Sequence, residues 1–185
     1  MACRYNACVP NRQPSLPDLW LVTDERNNAR LDTILAQMPR GSGVIFRHYH
    51  LKGTARLRRF AEVRRTAQRH GHIVILSGTP REAECRGADG AYGPSQRLTP
   101  RAEALRLATA HSAREIAAAN RAGADAILLS PVFATRSHPG AATLGPVRFR
   151  LLARLAKSPV IALGGMSARR ARHLKWKKWA AIDGI

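Results

Sequence analysis

The chain has 185 residues, enough for one domain with a real core and too few for two full-sized ones. Hydrophobic residues at 45% and charged residues at 23% exclude a disordered or collagen-like chain, and the longest apolar runs are too short to cross a bilayer. Lys and Arg total 31 against 12 for Asp and Glu, a formal charge of +19 that allows nonspecific polyanion binding, while 5% aromatic content argues against a base-stacking platform.

Met1 to Pro17 carries Pro10, Pro14 and Pro17 and no apolar period. It reads as an irregular lead-in, with a single barrel domain expected over residues 18–185. The N-terminus lacks the apolar stretch of a secretory signal. Cys3, Cys8 and Cys85 fit neither a disulfide scaffold nor a zinc site, so a cytoplasmic location is expected.

From Leu19 a rhythm begins. Leu19 to Val22, Val44 to Phe46, Ile73 to Leu76 and Asp89 to Tyr92 are short apolar runs. Leu107 to Ala110, Ala126 to Leu129, Pro159 to Leu163 and Trp179 to Ile182 follow. Near-continuous apolar runs of this length suit strands buried on both faces, as in parallel sheets. Helical patterns lie between them. Thr79-Pro80 with Glu82, Thr99-Pro100, Ser112 with Glu115, and Ser167 supply helix starts. Thr54 to Arg69 places Leu57, Phe60, Ala61 and Ala67 on one side. Gly87 and Gly123 stand where a helix ends, each followed by Ala-Asp and a strand.

Eight strands alternating with helices predict a single (β/α)8 TIM-type barrel. No GxGxxG follows the first strand, so the dinucleotide fingerprint is missing. The last run ends at the chain's end, so the eighth helix is expected to be short or missing. That flank is exposed unless another chain or Met1 to Pro17 covers it, so self-association into a homo-oligomer or marginal stability is expected.

In a barrel the site lies at the C-terminal ends of the strands. Arg47, directly after Val44-Ile45-Phe46, points to anion binding at the mouth. Thr135-Arg136-Ser137-His138-Pro139-Gly140 offers hydroxyls, a guanidinium and an imidazole with no acid among them. Gly164-Gly165 lets backbone approach a phosphate closely, and a phosphate site after strand seven is frequent in barrels. His111 reads as a satisfied strand-end histidine. Asp24, Glu25 and Asp183 read as solvated loop charges before metal ligands.

These stretches, taken in order, resemble the thiamine phosphate synthase and thiazole tautomerase superfamily. The resemblance rests on Leu21-Val22-Thr23-Asp24, Gly87-Ala88-Asp89-Gly90, Ala110-His111-Ser112 with Glu115, Gly123 through His138, and Pro159 through Met166. It implies a (β/α)8 barrel and a transferase of thiamine biosynthesis. Such an enzyme joins a pyrimidine pyrophosphate to a thiazole phosphate, using magnesium and releasing pyrophosphate. The substrates are therefore expected to be small and phosphorylated.

Carried over by position, Thr135, Ser137, Gly164 and Gly165 hold the thiazole phosphate, with Arg136 beside them. Arg47 and Thr109 face the pyrimidine pyrophosphate, and His138 replaces the lysine that ends the strand-six loop. Arg47 and His138 are the expected catalytic residues. The sequence departs from the family at its metal carboxylates, which become Ser77-Gly78 and Arg97. No metal ligand is assigned, and Mg²⁺ is expected only if a pyrophosphate ligand brings it. Arg47, Arg97, Arg136 and His138 are the candidate cationic substitutes. The catalytic histidine of the tautomerase falls at Pro131. The alternative is a barrel that binds a phosphorylated metabolite and does no synthase chemistry.

Overall fold

In the computed structural model, eight short strands pair in chain order, all parallel, and the last pairs with the first. The barrel is thus closed, as the alternation of apolar runs with capped helices predicts. The structure describes residues 16–99, 104–136, 140, 142–183 and 185. The strands are β1 Leu19–Val22, β2 Gly43–Phe46, β3 Ile73–Ser77, β4 Gly90–Pro94, β5 Leu105–Ala110, β6 Ala126–Leu129, β7 Val160–Ala162 and β8 Trp179–Ala181. Six α-helices lie among the described residues: α1 Leu31–Gln37, α2 Gly53–Arg69, α3 Pro80–Cys85, α4 Ala113–Arg121, α5 Gly145–Ala153 and α6 Ala168–Leu174.

Alternation along each strand divides the core in two. Trp20, Val22, Ile45, Ile75, Leu107 and Leu128 fill the barrel interior. Their neighbours Leu21, Val44, Val74, Ala108 and Ile127 face outward and pack with helix residues such as Phe60, Ile116 and Phe149. Both faces are apolar, so the strands read as unbroken runs. The floor is closed by Trp20, which is fully buried and donates its indole N–H to the Pro17 carbonyl at 2.9 Å. A Cβ on Gly43 would lie 2.2 Å from the Trp20 ring, so β2 must start with a glycine there.

The two Gly-Ala-Asp repeats do the same work twice. Gly87 (φ 64°) and Gly123 (φ 63°) turn the chain out of α3 and α4 in the left-handed region. The following Asp89 and Asp125 carboxylates accept the backbone N–H of Val74 (2.7 Å) and Arg106 (2.8 Å) on the preceding strand. Each repeat therefore ends a helix and fixes the register of the next strand. Thr79 and Glu82 form the expected capping box, and Ser112 and Ser167 cap α4 and α6.

The helix expected after Thr99-Pro100 falls on residues 100–103, outside the described residues, and a short 3₁₀ turn, Ser95–Arg97, precedes Thr99. One local expectation is corrected. In α2 the buried stripe is Phe60, Val63, Thr66 and Ala67, while Ala61 faces solvent. Ile185, just past β8, is exposed, and exposed apolar side chains also lie elsewhere. Val147 and Leu151 on α5, with Leu155 beyond it, form the clearest such row among the described residues. No helix among the described residues is long and apolar enough to cross a membrane.

Candidate functional site

A cavity of about 660 Å³ opens at the C-terminal mouth of the barrel, within the usual size for a small-molecule site. Every described residue carried into the expected site lines it: Arg47, Thr109, Thr135, Arg136, Gly164 and Gly165. Ser137 and His138 lie outside the described residues.

One wall comes from β6 and β7. The segment after β6 is zipped to β7, because Val132 and Phe133 donate their N–H groups to the carbonyls of Leu163 (2.9 Å) and Gly164 (3.0 Å). This closeness explains the glycines. Gly164 has φ 95° and a Cβ there would lie 2.6 Å from the Pro131 Cα. Gly165 has φ 61° and its Cβ would meet the Ala134 carbonyl. A Gly165→Val exchange would therefore break the packing of two loops before it touched any ligand. Arg170, which the sequence reading passed over, bonds the Gly165 carbonyl and lies over the Phe133 ring at 5.0 Å.

The facing wall comes from β2, β4 and β5. Arg47 is locked from behind. Its N–H donates to the Thr23 hydroxyl (3.0 Å), which pairs with His48 Nδ1 (2.7 Å). His48 Nε2 pairs with Asn28 Oδ1 (2.9 Å), itself an acceptor for Arg59 Nε (2.8 Å). With Asn28 Oδ1 accepting, Nε2 carries the proton and Nδ1 accepts from Thr23. His48 is thus a neutral imidazole, fully buried and stacked on Phe46 at 4.7 Å. Burial, reinforced by the charges of His50, Arg59 and Arg56 and opposed by Asp24, pushes its pKa from 6.5 down to about 4.

Tyr92 reaches the same cavity from β4. Burial pushes its phenol up to about 12, with Arg47 opposing, so it remains a hydrogen-bond donor at neutral pH. An inward tyrosine in the middle of β4 is hidden in an apolar run, which is why the sequence reading missed it. Tyr49 also lines this wall and shares a 2.7 Å hydrogen bond with Ser77. Across the mouth, His111 Nδ1 donates to the Ser130 carbonyl at 2.8 Å. That fits the expected strand-end role, although the ring also borders the cavity.

Ion pairs cross the mouth between the walls. Arg47 meets Asp24 at 3.1 Å, and Asp24 meets Arg26 at 2.9 Å. Arg26 meets Asp183 at 3.4 Å, and Asp183 meets Arg136 at 3.0 Å. Asp24 also caps the 3₁₀ turn Glu25–Arg30. Burial raises its pKa, but the hydrogen bonds and charges of Arg26, with the charge of Arg47, hold it below the usual carboxylate value. The solvated-charge reading of Asp24 and Asp183 is therefore corrected: they tie arginines together. Arg97 is exposed on the turn after β4 and does not line the cavity, so it is no part of a cationic clamp there.

A divalent metal does not fit this donor set. Hard cations need several oxygen ligands, and both mouth carboxylates already hold two guanidinium groups each. At the end of β3, the Ser77 hydroxyl pairs with Tyr49 and its carbonyl accepts from Arg56 at 2.9 Å. Among the described residues, no three His, Cys, Asp or Glu side chains come together as a metal site.

Fold and cavity define the class: a TIM-type barrel with its pocket where such barrels carry their sites. The sequence profile of the family described as thiamine monophosphate synthase matches residues 19–185, and the chain belongs to that family. It is 35% identical over 150 residues to the thiamine biosynthesis bifunctional protein ThiM/ThiE of Symbiobacterium thermophilum, covering 76% of this chain and 31% of that protein. It is 32% identical over 171 residues to the thiamine-phosphate synthase of Chromobacterium violaceum, covering 85% of this chain and 81% of that one. Among solved structures, the thiamine phosphate pyrophosphorylase from Pyrococcus furiosus shares the fold, with a TM-score of 0.70 at 20% identity over 90% of this chain and 85% of that chain.

Proposed function

We propose that this chain is a cytoplasmic transferase of thiamine biosynthesis. It would join hydroxymethylpyrimidine pyrophosphate to thiazole phosphate and release pyrophosphate. The observation that carries this reading is the two-walled cavity, with Arg47, Tyr92 and Thr109 on one side and Thr135, Gly164 and Gly165 on the other. Each wall offers donors suited to one phosphorylated substrate. The carbon–oxygen bond to pyrophosphate breaks, the leaving group keeps the electron pair, and the thiazole nitrogen forms the new bond to the pyrimidine methylene. Arg47 would stabilise the charge that grows on the leaving oxygen. His138 and Ser137 are assigned to pyrophosphate and thiazole phosphate on the family resemblance. Complementation of a thiamine auxotroph lacking its synthase tests the reading, and failure at good expression counts against it.

A second reading is a barrel that binds a phosphorylated metabolite without synthase chemistry. The pairing of Asp24 and Asp183 with arginines favours it, because each of these carboxylates already holds two guanidinium groups. Purified protein that binds thiazole phosphate yet forms no product would select this reading.

The two-walled assignment makes a sharper prediction. Hydrogen bonds to charged groups contribute about 1.5–3 kcal/mol, so Thr135→Ala should weaken thiazole phosphate binding by roughly tenfold or more. Thr109→Ala, on the other wall, should leave that affinity unchanged. Titration at fixed ionic strength compares the two. Equal losses in both variants would sink the assignment.

A further inference from the structure

The family resemblance implies magnesium at the pyrophosphate, and the donor set here does not fit it. We propose that the Arg47 wall of the cavity binds a diphosphate group without a divalent metal, using guanidinium and hydroxyl donors in the place of the ion. The inference rests on the synthase reading only for the choice of diphosphate as the ligand.

Three observations support it. First, Arg47 Nε is buried and has no hydrogen-bond partner in the structure, although Nη2 of the same side chain holds Asp24. Buried polar groups are nearly always satisfied, so an orphaned donor on a cavity wall points to a ligand that completes it. Second, Arg47 is built to stay in place. Its N–H is held by Thr23, its carbonyl accepts from Arg56 at 3.2 Å, and its side chain is only 16% exposed. A preorganised guanidinium loses little entropy when it receives a phosphate, and its planar fork suits bidentate contact. Third, the neighbouring donors are of the right kind. Tyr92 keeps its phenolic proton and Thr109 faces the same cavity from the adjacent strand.

The chain Arg47–Asp24–Arg26–Asp183–Arg136 explains how cations can gather at this mouth without flying apart. Three guanidinium charges alternate with two carboxylates, leaving an excess of one positive charge. The carboxylates hold the arginines at the rim rather than offering oxygens to a metal. An incoming diphosphate would supply the remaining negative charge, and Arg26 and Arg136 can turn part of their donors toward it. The same contacts would neutralise pyrophosphate as it leaves.

Calorimetric titration with inorganic pyrophosphate tests this on the whole chain, once in EDTA and once with Mg²⁺. The expected result is binding in EDTA with an affinity within about threefold of that with Mg²⁺. Arg47→Gln should weaken it by about tenfold or more, as loss of a charge-assisted hydrogen bond does. Tyr92→Phe removes one buried hydroxyl with little change of shape, and it should weaken binding several-fold. It keeps the test valid if Arg47→Gln folds poorly. Binding that appears only on adding Mg²⁺, or that survives both substitutions unchanged, overturns the proposal. A chain that binds pyrophosphate in EDTA but joins no substrates overturns the synthase reading and leaves this one standing. A chain that turns over only with Mg²⁺ and binds nothing in EDTA does the reverse.

Discussion

Replacing Trp20 with alanine is expected to cost about 3–5 kcal/mol of folding stability, a large share of the ~5–15 kcal/mol that holds a domain together. The side chain is fully buried and forms the barrel floor against Gly43, whose missing Cβ leaves the ring its space. Truncation would empty that floor and orphan the Pro17 carbonyl that accepts the indole N–H. The strands around it cannot close inward, because their spacing is fixed by the hydrogen-bonded ring. Equilibrium urea unfolding of both proteins reads the difference directly. A loss below about 1 kcal/mol would mean that the floor repacks, contrary to the geometry.

The second large effect is on acid stability. His48 is neutral in the folded state down to about pH 4, whereas in the unfolded chain it takes up a proton near pH 6.5. Between those values the unfolded state binds more protons. Its stabilising contribution is therefore fully present above pH 6.5, falls as the pH drops, and is lost by about pH 4. The gap between the two values corresponds to about 3 kcal/mol, as an order of magnitude. Protonation would also place a donor on Nδ1 facing the Thr23 hydroxyl, which already accepts from Arg47. His48→Asn is the suitable comparison, since asparagine tolerates the positive φ of 35° and does not titrate. The parent should lose stability between pH 7 and pH 5 more steeply than the variant. Parallel curves would remove His48 as the cause.

His48 also shows how far the sequence reads. Arg47 was legible as a mouth residue because it follows three apolar strand residues directly. The imidazole one position later carried no such signal. Its burial depends on Thr23 and Asn28, which the chain supplies 25 and 20 residues earlier.

The sequence by itself determined the parallel closed barrel, most helix starts and the glycine wall. These are local properties: apolar runs, capping residues and backbone freedom act within a few positions. Only the tertiary structure placed Tyr92 at the cavity, turned Asp24 and Asp183 into partners of arginine, and removed Arg97 from the mouth. Arg136 and Asp183 are 47 residues apart, and Arg47 and Asp24 are 23 apart. A barrel mouth gathers the ends of strands that are distant in the chain. Which charges neutralise one another there, and whether any carboxylate remains for a metal, is decided when β8 closes on β1.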